Sequence, residues 1–237
     1  MDQITVLQKL PEILAEMDLT AVYAYVVANN PANQLPYHNL YHTQCMAASC
    51  YAGAMYAELS LFERKALVLA GLFHDYDHSG GRTPDSENIL RAKEALAHAA
   101  GVLGLPQALV ERSQEFISTT QYPPVTPALD EAERIIRDGD MCQMLYENWF
   151  AQVYQGLRAE MAHSRGPMSL AQFCELQRSF FGGIELHSQW GKSVLEKLRS
   201  RALRGIELAE RAVSLMANSS LSEQDAYIRA EAETNGK

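Results

Sequence analysis

The chain has 237 residues, 47% of them hydrophobic and 21% charged, with a formal net charge of −9 at pH 7. That is enough for one sizeable core, and the composition is that of a globular rather than a disordered chain. The negative balance repels a phosphate backbone over most of the surface, which argues against extended nucleic-acid binding. A small anionic substrate stays open, because a metal ion can supply positive charge locally.

No apolar run approaches the roughly eighteen residues that a membrane span needs, so no membrane partner is expected. The first residues, Met-Asp-Gln-Ile-Thr-Val, lack the basic start and apolar stretch of a secretory signal, and a cytoplasmic protein is the expectation. The four cysteines, Cys45, Cys50, Cys142 and Cys174, show no Cys-x-x-Cys spacing and are expected as buried, reduced thiols.

The predicted elements are helices nearly throughout. A first amphipathic pair covers about 3–17 and 19–30, and a turn-rich stretch follows at Asn29–Asn33. A long helix is expected from about Asn39 to Ala57. Ser60 and Glu63 form a capping-box pattern for the next one, in which Phe62, Ala66, Leu69, Ala70 and Phe73 make one buried face. That helix delivers the chain to His74 and Asp75. The stretch from Asp77 to Pro84 is too rich in turn formers to continue it. Helices follow at about 86–100 and 106–120. Tyr122-Pro123-Pro124 breaks the chain, and Thr126-Pro127 is the expected restart. Ser169 with Gln172 opens another helix, and Gly182-Gly183 marks a kink or break. A long C-terminal helix ends near Asn218, and Ser220 with Glu223 opens a short last one. The expected fold is all-α, one helical domain over 1–200 with a C-terminal helical extension over 201–237.

Four of the seven histidines fall in two short strings, Tyr37-His38-Asn39-Leu40-Tyr41-His42 and Phe73-His74-Asp75-Tyr76-Asp77-His78. His38 and His42 are four apart, so on a helix they share a face, and Asp75 and His78 are three apart. Imidazole and carboxylate together suit zinc, manganese, iron or nickel and, with more water ligands, magnesium. Adjacent His-Asp at the end of an apolar helix, with a histidine upstream and an aspartate downstream, resembles the HD superfamily of metal-dependent phosphohydrolases. The longer strings Tyr37-His38-Asn39-x-x-His42 and His74-Asp75-x-x-His78-x-Gly80 are similar to the signature of class I 3′,5′-cyclic nucleotide phosphodiesterases.

The resemblance implies a helical HD-type domain with two divalent metal ions. His42, His74 and Asp75 would be ligands, with Asp75 bridging the pair and helping to make a hydroxide nucleophile from water. His38 would give a proton to the leaving oxygen, and His78 would hold water or phosphate beside the second metal. Where that family has an asparagine five residues after the last histidine, this chain departs from the pattern, and Asn88 takes the role only across an inserted loop.

The family's last ligand is an aspartate from a distant helix, and Arg137-Asp138-Gly139-Asp140-Met141 offers two. Asp138 sits four after Arg134, where a surface ion pair explains it. Asp140 continues the apolar row Ala132, Ile136 and Met144, where an unpaired carboxylate costs several kcal/mol unless it binds a metal. Asp140 is therefore the expected fourth ligand. Gln177 and Phe180 resemble the positions that contact the nucleobase, and Tyr37 is counted with them as substrate-binding. Phe181 and Trp190 are alternatives for lining the pocket. His98, His163 and His187 are expected to be structural.

Hydrolysis of a nucleotide phosphoester, with a 3′,5′-cyclic nucleotide as the sharpest case, is the leading expectation. A nucleoside mono- or triphosphate is the broader one. A di-iron oxygenase is the alternative of another reaction class and calls for an additional histidine ligand, with His98 or His163 as the source. A degenerate sensor would usually have lost part of the His/Asp set. The sequence is compatible with a homodimer and does not require one.

Overall fold

In the computed structural model, which describes residues 3–125, 127, 130–215 and 220, the chain is all-α, with no strand among the described residues. Three short helices, α1 (Gln3–Gln8), α2 (Leu10–Glu16) and α3 (Thr20–Asn29), lead through a 3₁₀ turn at Pro31–Gln34 to the centre of the fold. There α4 (Leu40–Tyr56) and α5 (Leu61–Phe73) lie along one another. Around them come α6 (Asp85–Leu103), α7 (Gln107–Thr119) and α8 (Glu131–Asp140), then α9 (Arg158–Arg165), α10 (Leu170–Gly183) and α11 (Gln189–Leu215). No helix among the described residues is long and apolar enough to cross a membrane.

α5 differs from the expected amphipathic helix. Every residue from Ala66 to Phe73 is buried, while Phe62, assigned to the buried face, is 46% exposed. The reason is position: α3, α4, α6, α7 and α8 all pack against α5, so it has no wet face beyond its first turn. Small residues let α4 come close. A side chain on Gly71 would meet the Ala47 backbone and the Cys50 sulfur at 3.1 Å. This close crossing brings the end of α5 beside the start of α4.

Caps set where the helices begin. Ser60 accepts from the Glu63 N–H as expected, but the Glu63 carboxylate pairs with Arg112 on α7. Ser169 and Gln172 make both bonds of a capping box, and α10 ends at Gly183. The restart expected at Thr126-Pro127 is corrected: Pro127 lies outside any helix, and Thr126 lies outside the described residues. α8 instead starts after Asp130, whose carboxylate and Glu133 form a reciprocal capping box.

The 200/201 division falls inside α11, which runs on with Ala202, Ile206, Ala209 and Ala212 buried. Arg201 donates to the carbonyls of Met144 and Tyr146 and so ties α11 to the turn after α8. The helix expected from Ser220 to Glu223 onward lies outside the described residues apart from Ser220.

Candidate metal centre

Each member of the predicted set is held by backbone geometry that the local sequence imposes. Asn39 is the N-cap of α4, with φ −104 and ψ −177, and its side chain accepts from the N–H groups of Tyr41 and His42. Such a cap is worth about 1 kcal/mol. It also overturns the expectation that His38 and His42 share a helical face, because His38 lies ahead of the helix. The two rings still come together, with centroids 5.6 Å apart. His74 caps the C-terminal end of α5. Beyond it the chain turns sharply, with the His78 N–H on the Asp75 carbonyl and Asp77 in the left-handed region at φ 58. Asp140 is the last residue of α8.

His42, His74, Asp75 and Asp140 bring four ligand atoms within 4.8 Å of one another. Asp75 Oδ2 lies 3.0 Å from His42 Nε2 and 2.8 Å from His74 Nε2, and Asp140 Oδ1 lies 3.4 and 3.6 Å from the same nitrogens. Ligands about 2.1 Å from one ion stand about 3.0–3.4 Å apart in octahedral or tetrahedral geometry, so these spacings fit a divalent cation.

Proton placement supports the same fit. His74 Nδ1 is 2.9 Å from the Gly71 carbonyl, which can only accept, so Nδ1 carries a proton. His42 Nδ1 is 3.0 Å from Gln143 Oε1. The two Nε2 atoms face each other at 3.2 Å and converge on the carboxylates. Asp75 Oδ2 is buried and receives no hydrogen bond despite its close nitrogens. A cation between nitrogen lone pairs and carboxylate oxygens satisfies all of them. The electrostatics point the same way. Burial opposes charge on His42, but Asp140 and Asp75 outweigh it and raise the imidazole to about 9. Burial would push Asp75 up, yet the imidazoles of His74, His38 and His42 hold it well below the usual carboxylate range.

A second group, His38, Asp75 and His78, also converges within 4.8 Å, and Asp75 belongs to both. The His38 and His78 rings lie 3.6 Å apart, tilted by 34°. The Gly80 N–H donates to His78 Nδ1, so a neutral His78 carries its proton on Nε2, as a donor rather than a ligand. Burial, followed by the neighbouring His38, lowers its pKa to about 4 and keeps it neutral.

The residue that sequence reasoning missed is Glu160 on α9. It is 2% exposed, its Oε2 is 2.6 Å from His38 Nδ1, and its Oε1 accepts from the backbone N–H groups of Tyr37 and His38. Burial favours its neutral form, but the hydrogen bond and charge of His38 outweigh this and lower its pKa. Gly156, in a π-helical turn at Ala151–Leu157, allows the approach: a side chain there would sit 2.3 Å from the Pro36 carbonyl. Nothing local marks Glu160, since its partner lies 122 residues away.

Asp138 corrects an expectation. Instead of pairing with Arg134 at the surface, it is 2% exposed and accepts from the His187 and Ser188 N–H groups and the Ser188 hydroxyl. Arg134 pairs with Glu131. Asn88 is buried and holds the loop after His78, accepting from the Ser79 N–H and from Arg91. Tyr37 is buried against His38 and His42, each ring centroid 4.8 Å away. Gln177 is buried within α10. Phe180 lines a cavity of about 350 Å³ with Tyr122, Met141, Ile184 and His187, while Phe181 and Trp190 are buried. His98 and His187 are exposed and outside both clusters, and His163 sits between the Glu160 carbonyl and Arg82. Arg82 is also held by the Ser79 carbonyl and has no carboxylate partner among the described residues.

Comparison of the sequence with protein-family models and with curated proteins gave no match.

Proposed function

We propose that the protein is a metal-dependent phosphohydrolase acting on a nucleotide phosphoester, with 3′,5′-cyclic nucleotides the leading substrates. The observation that carries this is Asp75, one carboxylate shared between two converging His/Asp groups. Divalent ions held there would supply Lewis acidity to phosphoryl oxygens and acidify a water toward neutral pH. His42, His74, Asp75 and Asp140 are the ligands in this reading, with Asp75 serving both positions.

The protein's own residues then manage the leaving group. Water oxygen bonds to phosphorus, the ester P–O bond breaks, and the departing oxygen takes a proton. His38 supplies it from Nε2, because Nδ1 is engaged by Glu160, which steadies the ring. His78 donates Nε2–H to a phosphoryl oxygen or water. Arg82 offers unpaired positive charge at the rim, and Phe180 offers an aromatic face for a base in the cavity beside Met141. The di-iron reading has less support, since neither His98 nor His163 joins the clusters.

The test is a panel of cyclic, mono-, tri- and dinucleotides assayed with manganese, magnesium, zinc and iron. Hydrolysis of a phosphoester in the presence of one of these metals is expected. Oxygen consumption with iron and no hydrolysis of a P–O bond in any substrate would refute the proposal.

A further inference from the structure

The proton on His42 is placed by a chain of side chains that runs away from the site. Next to Gln143 the buried Cys45 sulfur lies 3.7 Å from Nε2 and accepts from the amide. This orients the Gln143 amide, a choice that is otherwise ambiguous by a flip. Its Oε1 then faces His42 Nδ1 at 3.0 Å and requires a proton on that nitrogen.

We infer that Gln143, oriented by Cys45, is the positioning residue that makes His42 Nε2 a metal-binding nitrogen. A flipped amide would present N–H to Nδ1, shift the imidazole proton to Nε2 and aim it at His74 and Asp75. The chain is built for one direction. Gln143 is 4% exposed, Cys45 is 2% exposed, and Arg201 holds the turn that carries the amide by its Met144 and Tyr146 carbonyls. Unlike His74, whose proton is set by a backbone carbonyl of its own helix, His42 depends on side chains that substitution can change.

The inference rests on the metal-centre reading, and two readouts separate them. One is zinc affinity, from competition with a chromophoric chelator. The other is the ¹H–¹⁵N signal of the His42 ring. Wild type should show a solvent-protected Nδ1–H, with or without zinc. Gln143→Leu should lose that protection and bind zinc about 10–100-fold more weakly. Gln143→Glu, which keeps an acceptor, and Cys45→Ser, which keeps donor and acceptor, should retain both properties. Cys45→Val, which frees the amide to flip, should fall between. A wild type that binds no zinc would overturn the metal reading, while ring protection would still decide the chain. Unchanged affinity and protection in a folded Gln143→Leu, or zinc bound through Nδ1, would overturn the inference.

Discussion

Asp138 and Asp140 lie two residues apart at the end of α8, yet they meet opposite chemical surroundings. Asp138 faces three donors from the Leu186–Ser188 turn, two backbone N–H groups and a hydroxyl, at 2.6–2.9 Å from Oδ2. Asp140 faces two imidazole nitrogens whose rings have their protons engaged on the far side, and a second carboxylate. Burial does not explain the difference, since Asp138 is 2% exposed and the Asp140 side chain 25%. The supply of protons does. A carboxylate surrounded by donors is complete and ties two segments together, whereas one that converges with imidazoles and a second carboxylate belongs to a set that could hold a cation.

The largest effect expected from this contrast is at the donor-poor site. Asp140→Ala and Asp75→Asn should each remove bound metal and reduce turnover to background, read by elemental analysis and assay of the same sample. Full metal occupancy in either variant would sink the centre. Next in size is His38→Ala, which should leave metal content near wild type and slow turnover by about 10²–10⁴-fold. The loss should be large for an alkoxide leaving group such as a ribose 3′-oxygen. It should be small for bis(p-nitrophenyl) phosphate, whose nitrophenolate leaves unaided. An equal loss on both substrates with lost metal would make His38 a ligand.

Glu160→Gln sharpens that point at lower amplitude. The amide keeps the acceptor for the Tyr37 and His38 N–H groups but removes the charge beside the imidazole. A loss of about 10–100-fold in kcat with unchanged metal content, and the same leaving-group dependence as His38→Ala, is expected. A change confined to KM would mean that Glu160 serves binding instead. The smallest effect on catalysis belongs to Asp138→Ala. It should keep metal and turnover per folded molecule and lose about 3 kcal/mol of stability, because buried donors lose their acceptor. Thermal unfolding should show this as a fall of about 2–4 °C per kcal/mol. A variant that unfolds like wild type but loses its metal would reverse the roles of the two aspartates.

The sequence by itself determined the helical class, most caps and the membership of the first cluster. Period, capping residues and adjacent His-Asp are local signals, but the burial argument that favoured Asp140 misled, since Asp138 is the more buried of the two. It also paired His38 with His42 and His78 with Asp75 by helical spacing, although Asn39 caps α4 after His38 and so leaves His38 outside the helix. What only the tertiary structure decided are the partners contributed by distant elements. Asp138 looked like a surface residue because its donors come from a turn 49–50 residues on. Glu160 and Gln143 carry no mark in the sequence, since a carboxylate or amide becomes a histidine's proton partner only where packing places it. That placement depends on backbone approaches, Gly156 on Pro36 and Gly71 on Ala47, whose distances no periodicity encodes.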